Sequence, residues 1–169
     1  MKGLGIMPAD MKLSPADDAV KQWDQLSEGQ KDTMDLKMAI YAAQIERMDM
    51  GIGDIIDKLM ELRILEHTAI FFLSDNGASH ERVQRIQKGR DGKLGSRDSF
   101  VSVGRSWANV SNTPFRMYKH WVHEGGISTP MIFHYPALLR GPLRTDYTGH
   151  ILDLMPTCLA LAGAEYPAQ

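Results

Sequence analysis

The apolar positions between residues 27 and 62 recur at intervals of three and four, which is the spacing of one face of a helix. They form a single stripe of Met34, Met38, Tyr41, Ile45, Met48, Ile52, Ile55 and Leu59. Ser27 and Gln30 precede it at the spacing of a capping box, in which each side chain bonds a free amide of the first turn. The pattern predicts one long helix over Lys31–Leu62, with its methionines packed in a core.

Two shorter apolar runs lack this periodicity and predict strands. They are "TAIFFLS" at Thr68–Ser74 and "TPMIFHY" at Thr129–Tyr135. A continuous run is typical of a strand that is covered on both faces, so we expect the first one to be buried. The later stretch "DLMPTCLALAGA" predicts a helix that Asp153 caps and Gly163 ends.

The order helix, strand, long connection, strand, helix predicts an α/β fold. Residues 1–26 carry prolines and glycines without sustained periodicity and predict an irregular lead-in. More than fifty residues separate the two strands, which is too long for a connection without structure or function of its own in a compact domain. Part of this connection, Ser79–Gln87, has a pattern compatible with a short helix.

Composition and charge narrow the range of partners. The chain has 169 residues, 43% of them hydrophobic, and a net charge of −2, so no overall field favours nucleic acid or an anionic membrane. No apolar run approaches the roughly 20 residues of a membrane span. Cys158 is the single cysteine, which excludes an internal disulfide, and its apolar helical surroundings predict a small buried hydrophobe. Cysteine usage therefore does not indicate the cellular compartment.

The segment 81–98 has a local excess of positive charge. Its six basic residues are Arg82, Arg85, Lys88, Arg90, Lys93 and Arg97, and its three acidic ones are Glu81, Asp91 and Asp98. Such a segment is either a solvated surface or a rim that attracts an anionic substrate, and the pattern leaves both interpretations open.

Asp75 and Asn76 follow the first predicted strand directly. Their carboxylate and amide oxygens are ligands that Ca²⁺ and Mg²⁺ prefer, and the carboxyl ends of strands in open α/β sheets are where ligands bind. Gly77 would let the backbone turn sharply and leave space beside a cation. The alternative is that Asp-Asn-Gly forms an ordinary turn.

Lys119 precedes Glu124-Gly125-Gly126 by five residues, and those glycines lead into the second predicted strand. Beside a metal, its ammonium group could hold an anionic oxygen as a point charge. The alternative is a surface lysine whose stem lies along its aromatic neighbours.

Three stretches occur in a revealing order: "FLSDNGAS", "WANVSNTPFRMYKHWVHEGGISTP" and "DLMPTCLALAGA". Together they resemble the later part of the catalytic domain of the sulfatase (arylsulfatase) family, with its alkaline-phosphatase-like fold. "MAIYAAQIERMDMGIGDIIDKL" is similar to the long helix before the family's metal-binding strand. The resemblance implies one partial domain over residues 1–169, with residues 27–163 in a mixed, mostly parallel sheet flanked by helices. Family members are often periplasmic, secreted or lysosomal.

The resemblance also implies a chemistry, the hydrolysis of sulfate esters of small molecules or glycans with a bound Ca²⁺. Asp75 and Asn76 match the family's pair of metal ligands at a strand end. Lys119 matches the catalytic, substrate-binding lysine that contacts the sulfate and stabilises negative charge toward the leaving oxygen. A cation and a lysine both counter charge that develops in a transition state, so the resemblance favours the metal over the turn.

The sequence departs from the family's pattern at the nucleophile. Family enzymes use a formylglycine made from Cys/Ser-x-Pro-x-Arg, and the sequence contains no such motif; Cys158 is followed by "LALA". We therefore expect a fragment that carries one side of the active site, is inactive alone and self-associates through its uncovered strand. The alternatives are a fragment of a related metal-dependent phosphatase or phosphodiesterase, and a non-catalytic binding module.

Overall fold

The computed structural model describes residues 2–86, 92–141, 143, 145 and 147–166. In chain order, its helices and strands are α1 Glu28–Glu61, β1 Ile70–Leu73, β2 Gln84–Ile86, β3 Ser99–Val101, α2 Arg105–Ser111, α3 Glu124–Ile127, β4 Met131–His134 and α4 Leu154–Ala162. Single 3-10 turns occur at Lys2–Leu4, Trp23–Gln25, Leu65–His67 and Ile151–Asp153. The α/β class predicted from the sequence is confirmed.

Helix α1 begins as its capping box predicts. The Ser27 amide donates to Gln30 Oε1 at 3.1 Å, and the Gln30 amide donates to Ser27 Oγ at 3.4 Å. The apolar stripe, however, is not buried in the described part of the protein. No residue of α1 is classed as buried, and Ile45 and Ile55 are 42% and 61% exposed. The predicted core packing of the stripe is therefore wrong for this chain by itself.

Strands β1 and β4 form an antiparallel pair in which Ile70 lies opposite His134 and Leu73 opposite Met131. The rings of Phe71 and Phe133 stack at 4.5 Å between centroids, which joins the two strands on one face. The predicted burial of β1 is wrong, because no described helix packs extensively across the pair. Both strand pairs in the described residues are antiparallel.

Strands β2 and β3 form a hairpin in the long connection, in the region where the sequence pattern is compatible with a short helix. Strands β2 and β3 pair antiparallel, and the Ser102 amide donates to the Val83 carbonyl at 2.9 Å just beyond them. The Val83 amide in turn donates to Ser102 Oγ at 2.9 Å. The short helix predicted for Ser79–Gln87 is therefore wrong up to Ile86, since pairing with a distant segment overrides local propensity; Gln87 lies outside the described residues.

The basic segment is described only in part. Lys88, Arg90 and Asp91 lie outside the described residues. Arg82, Lys93 and Arg97 are exposed, which agrees with both interpretations of the segment.

Helix α4 ends at Gly163, whose φ of 64° is the left-handed conformation that glycine adopts readily. Asp153 occupies the N-cap position, but its carboxylate accepts a bond from the His150 amide at 2.7 Å instead of capping the helix. Cys158 is exposed, so its predicted burial is wrong. Among the described elements, the 3-10 turn before α4 is the main neighbour of this helix. None of the described helices combines the length and apolar character of a membrane-crossing segment.

Few side chains are buried among the described residues. Among the described residues, the buried apolar side chains are Met7, Ala108 and Tyr118, and Gly77, Gly125 and Gly126 are buried as well. Of these six residues, all but Met7 and Ala108 lie in the segments that follow β1 and precede β4.

We expect the 169-residue chain to self-associate, because large apolar side chains of α1, β1 and β4 leave contact with water when copies meet. Ile45→Glu puts a charge on the apolar stripe and should lower the average mass in sedimentation velocity. Gln44→Glu adds the same charge at a neighbouring exposed polar position and should leave the mass unchanged. A wild-type chain that sediments as a monomer throughout a dilution series contradicts this prediction.

Candidate functional site

The segment Ser74–Ala78, which follows β1, is held by three hydrogen bonds to the segment before β4. The Gly77 amide donates to the Gly126 carbonyl at 3.0 Å. The Lys119 amide donates to the Ala78 carbonyl at 3.0 Å. Thr129 Oγ1 donates to the Ser74 carbonyl at 2.9 Å. These bonds place the two predicted site segments side by side.

Asn112 completes this connection and was not singled out from the sequence. It is the residue that ends α2. Its Oδ1 accepts from the Ala78 amide at 3.0 Å, and its Nδ2 donates to the Met117 carbonyl at 3.1 Å. One side chain therefore satisfies both backbone segments, and removing it would leave part-buried polar groups without partners. The sequence signal is slight, an asparagine at the start of "NTPFRMYK".

Three glycines allow the backbones to approach this closely. A Cβ atom at Gly77 would lie 1.8 Å from the Gly125 carbonyl oxygen. At Gly125 and Gly126 it would lie 2.1 and 2.0 Å from the carbonyl oxygens of Met117 and Trp121. Gly77 thus has a role beyond the predicted turn: its missing side chain makes room for another backbone segment. The Glu-Gly-Gly stretch has the same steric origin.

Asp75 and Asn76 lie directly after β1, where the sequence places them. Asp75 is exposed and Asn76 is half-buried, and Asn76 Nδ2 donates a hydrogen bond to Asp75 Oδ1. Two adjacent oxygen-bearing side chains at a strand end fit one side of a calcium site. Calcium takes about six to eight oxygen ligands, and the described residues contain no cluster of three or more His, Cys, Asp or Glu side chains that could hold a metal. The pair could supply a share of the ligands.

Lys119 is brought to this segment by its backbone, through the bond to Ala78. Its side chain is exposed, and it forms no ion pair within the described part of the chain. The ammonium group is therefore available to an anion from outside. The loop that presents it is unusual, because Met117 and His120 on either side have φ angles of 64° and 99°.

Tyr118, beside Lys119, is 1% exposed and anchors the lead-in to the site loop. Its hydroxyl donates to Asp17 Oδ2, and the Arg105 guanidinium lies 5.8 Å from its ring centroid. Burial, followed by the bond to Asp17, raises the pKa of Tyr118 to about 12. The same bond lowers the pKa of Asp17. Sequence reasoning missed both residues, since their contact spans 101 positions.

Gly77→Ala should lower the free energy of unfolding by about 1–3 kcal/mol, the usual cost of overpacking, because backbone atoms must move to admit the methyl group. Gly53→Ala is the matched control: its Cβ meets nothing within 4 Å, and alanine favours the helix by about 0.5–1 kcal/mol. Urea denaturation measures both. A Gly77→Ala chain as stable as the wild type would show that the two segments separate without cost.

Tyr118 should make the stability of the chain depend on alkaline pH. An unfolded tyrosine ionises near pH ~10, whereas the folded one stays protonated up to about 12, so ionisation between these values favours the unfolded state. The contribution of Tyr118 is present below pH ~10 and is lost by up to about 1.4 kcal/mol per unit above it. Urea denaturation of the wild type and Tyr118→Phe between pH 8 and 12 should show their difference shrinking across this window. A constant difference contradicts the prediction.

Comparisons of the sequence with known proteins point to one family. The Sulfatase family model matches residues 15–164. An uncharacterized sulfatase of Schizosaccharomyces pombe is 34% identical over 98% of the chain, which covers 32% of that protein. The arylsulfatase of Klebsiella aerogenes is 33% identical over 98% of the chain and 38% of its own length, and human steryl-sulfatase is 31% identical over 76% of the chain and 19% of its own.

The chain thus spans about a third of the length of the first two relatives. The match to the family model covers both site segments, from Asp75 to Lys119, together with α1 and α4. On this evidence the chain belongs to the sulfatase family.

Proposed function

We propose that this chain forms one side of the active site of a sulfate-ester hydrolase, with Asp75 and Asn76 as calcium ligands and Lys119 as the residue that contacts the sulfate. The observation that carries the proposal is the bond from the Lys119 amide to the Ala78 carbonyl at 3.0 Å. Ala78 lies three residues after Asp75, so this bond brings the Lys119 backbone close to the paired oxygen ligands. In the sequence, 44 positions separate Lys119 from Asp75.

Each residue has a distinct part in this proposal. Calcium held by Asp75 and Asn76 would supply positive charge to the sulfate oxygens. The Lys119 ammonium adds a second positive charge, exposed and without an ion-pair partner in the described residues, which favours negative charge building toward the leaving oxygen. The glycine contacts and Asn112 keep both segments in place before substrate arrives, and such preorganisation is what makes electrostatic stabilisation effective.

The chain's residues bind and orient the sulfate in this scheme, and the attacking group comes from elsewhere. A formylglycine would have to be made in a Cys/Ser-x-Pro-x-Arg motif, which the 169 residues lack. The substrate would be a sulfate ester of a small molecule or a glycan. The names of the relatives support the ester class, whereas an aryl and a steryl group are too different to indicate one organic group for this chain.

The test is a hybrid enzyme in which this chain replaces the matching third of the bacterial arylsulfatase, whose remaining part supplies the nucleophile. We expect the hybrid to hydrolyse an aryl sulfate with added calcium, whereas the isolated chain does not, because positioning groups alone cannot replace a covalent step. Asp75→Ala should abolish turnover. Lys119→Ala should lower kcat by about 10²- to 10³-fold, as loss of an oxyanion donor does.

Matched controls separate the site from general damage. Asp57→Ala and Lys12→Ala remove exposed groups of the same types from α1 and the lead-in, and both should leave kcat unchanged. A folded hybrid that carries formylglycine and yet cleaves no sulfate ester contradicts the proposal. Cleavage of a phosphate ester in place of the sulfate would identify the related phosphatase chemistry, and full activity of Lys119→Ala would remove that residue from the site.

A further inference from the structure

His80 lies in the site region, but it belongs to none of the sequence motifs and has no part in the proposed chemistry. It lies on the segment of Asp75 and Asn76, two positions after Ala78. Its half-buried imidazole stacks on the ring of Tyr118 at 5.0 Å and meets the edge of Trp121 at 4.7 Å, and it lies 6.0 Å from the ring of His120.

All three ring partners belong to the loop that carries Lys119. Tyr118 and His120 are its immediate neighbours, and Trp121 packs against both of them at 4.9 and 5.1 Å. The imidazole therefore joins the two site segments through side chains, at the place where the Lys119–Ala78 bond joins them through backbones.

The loop needs such support because its backbone is strained. Met117 and His120 both have positive φ angles, a conformation that is costly for residues other than glycine and persists only where the surroundings hold it. Ring pairs at these distances are favourable beyond the apolar area that they bury. The contacts of His80 thus act on the residues that determine where Lys119 lies.

The surroundings of Nδ1 of His80 favour a packing role over a hydrogen-bonding one. Its Nδ1 is buried and has no hydrogen-bond partner within the described residues. A buried ring nitrogen without a partner costs free energy, so the favourable contacts of His80 come from the face and the edge of its ring.

We propose that His80 is a positioning residue, which fixes the Lys119 loop against the Asp75–Asn76 segment by filling the space between Tyr118 and Trp121. The role of Lys119 in sulfate binding, and hence the consequence for catalysis, rests on the proposed function. The placement of the loop does not, and it can be measured on this chain alone.

Amide hydrogen exchange tests the placement. In His80→Ala the Lys119 amide should exchange about tenfold faster, because its bond to Ala78 opens more often, while His80→Phe keeps the flat ring and should stay close to the wild type. The amide of Leu62, bonded to Lys58 at the far end of α1, is the internal control. An unchanged Lys119 amide in His80→Ala, equal acceleration of Leu62, or a Phe variant as fast as the Ala variant each overturns the proposal.

Kinetics in the hybrid enzyme test the link to Lys119. His80→Ala should lower kcat/KM by about tenfold when Lys119 is present and by less than about twofold in the Lys119→Ala background, since a positioning residue has no effect once its target is gone. His80→Phe should restore the activity. Additive losses, or a Phe variant with slow exchange but low activity, would show that the imidazole acts on the substrate directly. An inactive hybrid would count against the proposed function, and the exchange result would still decide the placement.

Discussion

The close approach of two backbone segments, residues 74–78 and 112–129, is the constraint on which the site depends. At Gly77 the second segment passes so near that a methyl group would lie 1.8 Å from a carbonyl oxygen. Glycine at this position therefore does more than give the backbone conformational freedom, because it determines the distance between the segments. That distance allows the bonds from Gly77 to Gly126 and from Lys119 to Ala78, and these bonds determine which side chains become neighbours.

A second set of contacts surrounds the place where the two segments meet. It holds the loop of Lys119 in its strained conformation. The rings of His80, Tyr118 and Trp121 pack against one another on one side, and the Tyr118 hydroxyl reaches Asp17 on the other. The lead-in is thereby tied to the site although it has no long regular element of its own. A buried hydroxyl bonded to a carboxylate is a charge-assisted contact, stronger than a neutral one. It also explains why the pKa values of Tyr118 and Asp17 move in opposite directions.

The sequence predicts the elements whose causes are local. A capping box and a three-four repeat lie within α1 itself, and Gly163 ends α4 by its own conformational freedom, so both helices are found where the pattern puts them. Burial is different, because it depends on surfaces far away in the sequence. The same repeat that predicts α1 says nothing about what lies against it, and its stripe is exposed in the described residues. The hairpin of β2 and β3 does not follow from the local pattern for a similar reason, since it pairs residues 13 to 17 positions apart.

The candidate site was predictable from the sequence only in part. Asp75, Asn76 and Lys119 stand out through their positions beside apolar runs and glycines. The contacts of Asn112 with Ala78 and of His80 with Tyr118, in contrast, span more than thirty positions. No property of Asn112 or His80 alone indicates these contacts. In the described residues, the contacts between the two segments are hydrogen bonds and ring pairs close to the site. The exposed stripe of α1 contributes none of them, so a partner surface that covers the stripe can add stability without being needed to bring Lys119 to Asp75 and Asn76.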